Sequence, residues 1–192
     1  MKILFLGYTD SHLIDFLKDN GEEVIATDEK VDTSFIKKNE FDFLVSYGYR
    51  HIIRKDVLDL FLDKAINLHI AYLPWNKGAD PNFWSALNGT PSGVTVHYLD
   101  EGVDTGDIIV REKVEFSTDD TMATSFDKLQ KSIQKLFKDN WNNIKIGTAP
   151  RIKQNKNDGN HHFVKDMDPY KPLFKKGWDT PRSDIRNLKL SP

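Results

Sequence analysis

A doubly wound α/β fold, with a mostly parallel, twisted sheet and flanking helices, is the class this sequence predicts. Three observations lead there. Short apolar runs of strand length recur at 2–6, 23–27, 41–46 and 65–69. The stretches between them carry apolar residues at helical spacing and end in helix-stop signals. Glycine or a polar turn closes most runs. Apolar runs that alternate with helices imply strands buried on both faces of a parallel sheet.

Taken in order, the run 2–6 ends at Gly7 and suits a central strand. Asp10 or Ser11 can cap a helix that turns Leu13, Ile14, Phe16 and Leu17 inward, and Asn20-Gly21 stops it. Residues 23–27 give a second strand, and 32–38 a short helix with Phe35 and Ile36 inward. The third strand, 41–46, leads into the turn Tyr47-Gly48-Tyr49-Arg50. Residues 54–62 read as a short helix and 65–69 as the fourth strand. After a loop, 82–87 is a helical turn or two, 93–99 alternates as a strand, and 107–116 pairs with it. Asp119 or Asp120 can cap a long helix at 121–146. Its Met122, Phe126, Leu129, Ile133, Leu136, Phe137, Trp141 and Ile144 keep one apolar stripe, and Gly147 closes it.

Composition narrows the function classes. The 192 residues, 39% apolar and 29% charged, suffice for one α/β domain and a small appendage. A net charge of −2 gives no electrostatic case for nucleic acid. The absence of cysteine excludes disulfides, thiolate metal sites and a cysteine nucleophile, and fits a reducing cytoplasm. The first apolar run is too short for a signal peptide or for a spanning helix of about 20 residues, so a cytoplasmic protein is expected. From residue 151 onward 10 Lys and Arg stand against 5 Asp and Glu, with Phe163, Tyr170, Phe174 and Trp178 among them. The chain therefore divides into a domain at 1–150 and a short basic, aromatic appendage at 151–192.

Doubly wound sheets bind ligands outside the carboxyl ends of their strands. The tails of strand one (Gly7, Tyr8, Thr9) and strand three (47–53) are therefore expected to meet Asn67 and His69 at one cleft. Residues i and i+2 of a strand share a face, so Asn67 and His69 can point into one pocket. The acidic turn at 100–107 can add Asp104. An amide, an imidazole and a carboxylate suit acyl transfer. The first two can donate to an oxyanion. The third orients the imidazole and accepts, directly or through water, the proton that an attacking nitrogen must lose.

Plainer readings stand beside these. His97 reads as a packed, hydrogen-bonded histidine, and His161-His162 as a solvated pair rather than a metal site. Asp100, Glu101 and Asp107 read as an ordinary acidic turn. Trp75 and Trp84 divide between stacking on a ligand and burying their loop. Lys77 either contacts an anion or is a solvated charge, the second being preferred. Gly7 begins no G-x-G-x-x-G fingerprint, so no dinucleotide coenzyme is expected.

Ile66-Asn67-Leu68-His69 with Leu73-Pro74 and Gly78 is followed by Gly93-Val94-Thr95-Val96-His97. Then comes Asp100-Glu101-Gly102-Val103-Asp104-Thr105-Gly106-Asp107-Ile108-Ile109. This series resembles the formyltransferase family that uses 10-formyltetrahydrofolate, whose members act on phosphoribosylglycinamide, methionyl-tRNA or sugar amines. The match runs over about 45 consecutive residues and extends more weakly to 2–7 and 41–53. The resemblance implies a Rossmann-like fold and a one-carbon transferase. It puts Asn67, His69 and Asp104 at the family's catalytic positions. It assigns Tyr49, Arg50, His51 and Ile53, with Leu99, Asp100 and Gly102, to the segments that hold the folate's pterin, largely through backbone groups. Tyr8, Thr9, Trp75 and Lys77 fall on the acceptor side.

The departures from the family pattern are informative. About one βα unit is missing before Asn67. The stretch Gly7-Tyr8-Thr9-Asp10-Ser11 lacks the phosphate loop of the glycinamide ribonucleotide enzyme. The loop from Trp75 to Trp84 differs from the arginine-bearing loop of the tRNA enzyme, whose long C-terminal barrel has no counterpart here. A primary amine on a nucleotide-linked amino sugar is then the expected acceptor. A tRNA formyltransferase, a formyl-folate hydrolase and a non-catalytic folate-binding relative are the alternatives. No membrane association is expected, nucleic acid is not favoured, and a homodimer is left open.

Overall fold

The computed structural model describes residues 1–155 and 157–188; the end of the expected appendage, 189–192, lies outside them. One six-stranded sheet carries the molecule. Its strands are β1 (Lys2–Gly7), β2 (Glu23–Thr27), β3 (Phe43–Tyr47), β4 (Ala65–His69), β6 (Gly93–Tyr98) and β7 (Ile108–Lys113), in the order β2-β1-β3-β4-β6-β7. The first four run parallel, whereas β6 and β7 turn back antiparallel. Helices α1 (His12–Asp19) and α5 (Met122–Lys145) cover one face; α2 (Thr33–Asn39) and α3 (Lys55–Leu58) cover the other.

The covering of both faces follows from the strands' composition. Ile3, Leu4, Phe5 and Leu6 of β1 are each fully buried, with Ile3 and Phe5 under α1 and α5 and Leu4 and Leu6 under α2 and α3. In β4, Ile66 and Leu68 point toward α5. Asn67 and His69 therefore take the opposite face. The stripe of α5 packs on this sheet through Leu129, Ile133, Phe137 and Trp141, whose ring meets Phe43 edge-on with centroids 5.6 Å apart.

Several boundaries differ from expectation. The third strand begins at Phe43, two residues after Phe41, because Asp42 is spent on the backbone N–H of Lys2. The helix expected at 54–62 stops at Leu58, and the left-handed backbone of Leu62 and Asp63 turns the chain into β4. Neither Asp119 nor Asp120 caps α5. Thr121 does so, in a reciprocal box with Thr124, while Asp120 accepts from the Thr124 hydroxyl and from Lys128. Ser11, not Asp10, caps α1.

Past the sheet, β5 (Lys77–Gly78) pairs with β8 (His161–His162), and α4 (Pro81–Asn88) and α6 (Arg182–Ile185) pack together. A third apolar cluster joins Phe83, Trp84 and Met122 to Met167 and Ile185, so residues beyond 160 pack against the main body. His162 is not solvated as expected: its ring lies flat on Trp84, 3.9 Å between centroids and 5° from parallel. No helix among the described residues is long and apolar enough to cross a membrane.

Phe137 is fully buried between Phe16 and Trp141. Phe137→Ala should cost about 3–5 kcal/mol in denaturant unfolding, as large-to-small core changes do. Ile146→Ala, at a position 68% exposed, should stay within about 0.5 kcal/mol of the parent.

Candidate active site

Strand pairing assembles the site. Antiparallel register sets Asn67 opposite His97 and His69 opposite Thr95. Directly opposed residues share a face, so all four side chains stand on the side of the sheet away from α5. The turn after β6 then brings Asp104 over them. Leu99 N–H donates to the Ala65 carbonyl (2.9 Å) and ties that turn to β4. Asp100 accepts from the Gly102 N–H (3.0 Å) and the Thr105 hydroxyl (2.6 Å), which shapes it.

Asp104 is 9% exposed and holds a left-handed backbone, φ 54°. Its Oδ1 accepts from Asn67 Nδ2 (3.1 Å) and lies 3.3 Å from His97 Nε2. Its Oδ2 accepts from the Gly78 N–H (2.8 Å) and lies 3.5 Å from His69 Nε2. Burial works to raise the carboxyl pKa. The charge of His69, the hydrogen bond and charge of His97, and the Gly78 amide outweigh it, and Asp104 is held well below the usual carboxylate range.

Each imidazole has one ring nitrogen whose proton its partners fix. His69 Nε2 lies 3.1 Å from the Asn76 carbonyl oxygen as well as beside Asp104; both are acceptors, so Nε2 carries the proton. His97 Nδ1 faces the Tyr98 carbonyl at 2.8 Å and is protonated for the same reason. Its Nε2 lies 3.3 Å from the Asn67 amide nitrogen. Asn67 and His69 thus each reach Asp104, with His97 a fourth member of the cluster. His97 is 1% exposed, as a packed histidine should be, yet its ring completes the polar cluster. The alternation Val94-Thr95-Val96-His97 carried the signal: both valines are fully buried on the α5 side, which turns Thr95 and His97 toward Asn67. Nothing in the sequence marked Asn76.

The remaining expected residues fall around this cluster. Tyr49, Ile53 and Leu99 pack against one apolar cluster, with the Tyr49 hydroxyl donating to the Glu29 carbonyl (2.9 Å). Arg50 and His51 are exposed beside them, His51 against the Tyr49 ring. Tyr8 is 38% exposed and meets Tyr47 edge-on; Thr9 is exposed, and Trp75 is 36% exposed. No hydrogen bond links Tyr8, Thr9 or Trp75 to the cluster among the described residues. Trp84 is buried, one face taken by His162. Lys77 is a correction: it is only 4% exposed, and its ammonium donates to the Asp158 carbonyl (2.9 Å). Pairing of β5 with β8 draws it under the returning chain, away from solvent.

The Asp104 carboxyl has a folded pKa below its ordinary value of 3.8. The unfolded chain therefore binds the extra proton first, and this residue's contribution to stability is complete above that value and is lost as pH falls below it. Urea unfolding at pH 6 and pH 3 should show a smaller acid loss for Asp104→Asn than for the parent.

Comparison with known proteins gives a consistent picture. The family profile described as Formyl transferase matches residues 15–140. The chain is 45% identical to the formyltransferase PseJ from Anoxybacillus kamchatkensis, over 96% of this chain and 97% of that one, with a TM-score of 0.92. That structure is a complex with UDP-4,6-dideoxy-4-formamido-L-AltNAc and tetrahydrofolate. A 4-N formyltransferase from Francisella tularensis is 26% identical over 98% of this chain and 87% of that one, TM-score 0.76. Methionyl-tRNA formyltransferase of Halothermothrix orenii is 36% identical over 76% of this chain and 44% of its own length. That of Desulforamulus reducens is 31% identical over 86% and 55%. The chain spans about half the length of the curated relatives it matches. With a sheet of this order and a profile match across most of its strands, the chain belongs to the formyltransferase family.

Proposed function

We propose that the protein transfers a formyl group from 10-formyltetrahydrofolate to the primary amine of a nucleotide-linked amino sugar. The observation that carries this reading is the likeness to PseJ, which extends over nearly the whole of both chains and whose structure is a complex with a UDP-linked formamido sugar and tetrahydrofolate. The polar cluster at the carboxyl end of β4 supports it with chemistry suited to formyl transfer.

In this reading the amine nitrogen forms a bond to the formyl carbon, and the carbonyl pair moves onto oxygen. Asn67 donates to that oxyanion through one amide N–H, the other staying on Asp104, and so gives up its 3.3 Å approach to His97 Nε2. His69, with its Nε2 proton held by Asn76 and Asp104, presents Nδ1 to the oxyanion and donates to it after that nitrogen has taken up a proton, the charge so formed being balanced by Asp104. Fixed donors of this kind are each worth about 3–4 kcal/mol at the transition state. Asp104 takes the amine proton through water, because its own oxygens already have four partners within 3.5 Å. The oxyanion pair then re-forms the carbonyl, the bond to the folate nitrogen breaks, and that nitrogen takes up a proton. Tyr49, Arg50, His51 and Ile53, with Leu99, Asp100 and Gly102, form the folate side. Tyr8, Thr9 and Trp75 form the acceptor side.

The matched curated relatives favour a second reading, methionyl-tRNA as acceptor. An acceptor panel separates the two. With 10-formyltetrahydrofolate present, a UDP-linked 4-amino-4,6-dideoxy sugar should drive tetrahydrofolate release, and charged initiator tRNA should not. His69→Ala should lower kcat on the sugar by about 100-fold or more. Release driven by the tRNA alone, or an unimpaired His69→Ala enzyme, would sink the proposal.

A further inference from the structure

The segment that returns from α5 is held against the site more closely than a connecting strand requires. Ile152 exchanges both backbone hydrogen bonds with Ile108 (2.8 and 2.9 Å). Gly159 approaches the loop before β5 so closely that an added Cβ would stand 1.9 Å from the Pro74 carbonyl oxygen, and its φ of +78° is itself one that side chains disfavour. Two amide side chains, Gln154 between these anchors and Asn160 just past the second, reach the polar cluster from opposite ends.

Gln154 reaches the turn that carries Asp104. Its Nε2 donates to the carbonyls of Asp104 (3.1 Å) and Gly106 (2.6 Å). Both partners are acceptors, so the amide must present its NH2 group there. Its Oε1 is buried, with no protein hydrogen-bond partner among the described residues. The turn it clamps holds a non-glycine residue at positive φ, a conformation that persists only where its surroundings enforce it.

Asn160 reaches the other end. Its Oδ1 accepts from the Asn76 backbone N–H (2.6 Å), and its Nδ2 donates to Asn76 Oδ1 (3.2 Å). Thr90 binds the same Asn76 side chain (2.9 Å), and Asn76 is fully buried with φ +57°. Its carbonyl is the acceptor for His69 Nε2.

We infer that Gln154 and Asn160 are positioning residues for the reaction: one fixes the backbone from which Asp104 projects, the other the carbonyl that orients His69. This rests on the formyl-transfer reading, in which those two side chains act on the reacting atoms. Gln154 keeps the carboxylate over β4 and β6; Asn160 keeps the imidazole proton on Nε2 and so presents Nδ1 to the substrate. Neither touches the reacting atoms.

The test pairs kinetics with a spectroscopic signature. Gln154→Leu and Asn160→Ala are assayed with 10-formyltetrahydrofolate and the UDP-linked 4-amino-4,6-dideoxy sugar, with Lys153→Ala, an exposed neighbour, as control. Both variants should lose at least about tenfold in kcat with less than about threefold change in either KM, and Lys153→Ala should match the parent. In ¹⁵N-histidine spectra of the unliganded protein, the His69 ring should be a fixed Nε2–H tautomer in the parent and a mixture in Asn160→Ala. Asn160→Asp, which keeps the acceptor for the Asn76 N–H, should recover part of the tautomer signature. Parental kcat in both variants, or an unchanged His69 tautomer in Asn160→Ala, overturns the inference. Retention of activity by His69→Ala would instead overturn the formyl-transfer reading, and the tautomer measurement, made without substrate, tells the two failures apart.

Discussion

A single buried carboxylate holds this site together. Asp104 gathers the Asn67 amide, two imidazoles and the Gly78 N–H, and it does so from a left-handed backbone at the tip of a turn. A charge so placed persists only when its oxygens are satisfied and its neighbours carry compensating charge or donors. The partners come from three stretches: Asn67 and His69 from β4, Gly78 from β5 and His97 from β6. The strand register, the loop path and the turn are coupled through it.

The sheet makes that convergence repeatable. Four parallel strands, all but the edge strand β2 buried on both faces, form a floor whose carboxyl ends open on one side. The antiparallel pairing of β6 with β4 sets Asn67 opposite His97. The pairing of β5 with β8 then closes the loop at Trp75 and Lys77 over the cluster's flank. Donors at an active site are useful to the degree that they cannot relax toward water. Burial of His69, His97 and Asp104 below a tenth exposure gives that restraint a structural cause.

Much of the fold was legible because apolar runs and helical stripes report burial directly. Ile3–Leu6 and the α5 stripe are examples. Boundaries were less legible where a single side chain or backbone angle decided them: Asp42 at the start of β3, Leu62 and Asp63 after α3, Thr121 before α5. Asn67 and His69 could be paired from strand alternation, and Asp104 from the acidic turn, since both follow short-range rules. The same alternation rule, applied to Val94–His97, would have added His97. Asn76, Gln154 and Asn160 were invisible, because their roles arise from chain segments meeting across 48–84 residues of separation. Lys77 was misjudged for the same reason: its solvent is excluded by chain 81 residues further on.

In the proposed reaction Asp104 organises the chemistry rather than the binding of ligands. Single-turnover formyl transfer to the UDP-linked 4-amino-4,6-dideoxy sugar, measured beside tetrahydrofolate affinity for the parent and Asp104→Asn, tests it most directly. The structure predicts transfer slowed by about 100-fold or more with the tetrahydrofolate Kd within about threefold of the parent. Parental transfer rates in Asp104→Asn, or a slowing matched by loss of tetrahydrofolate binding, would contradict it.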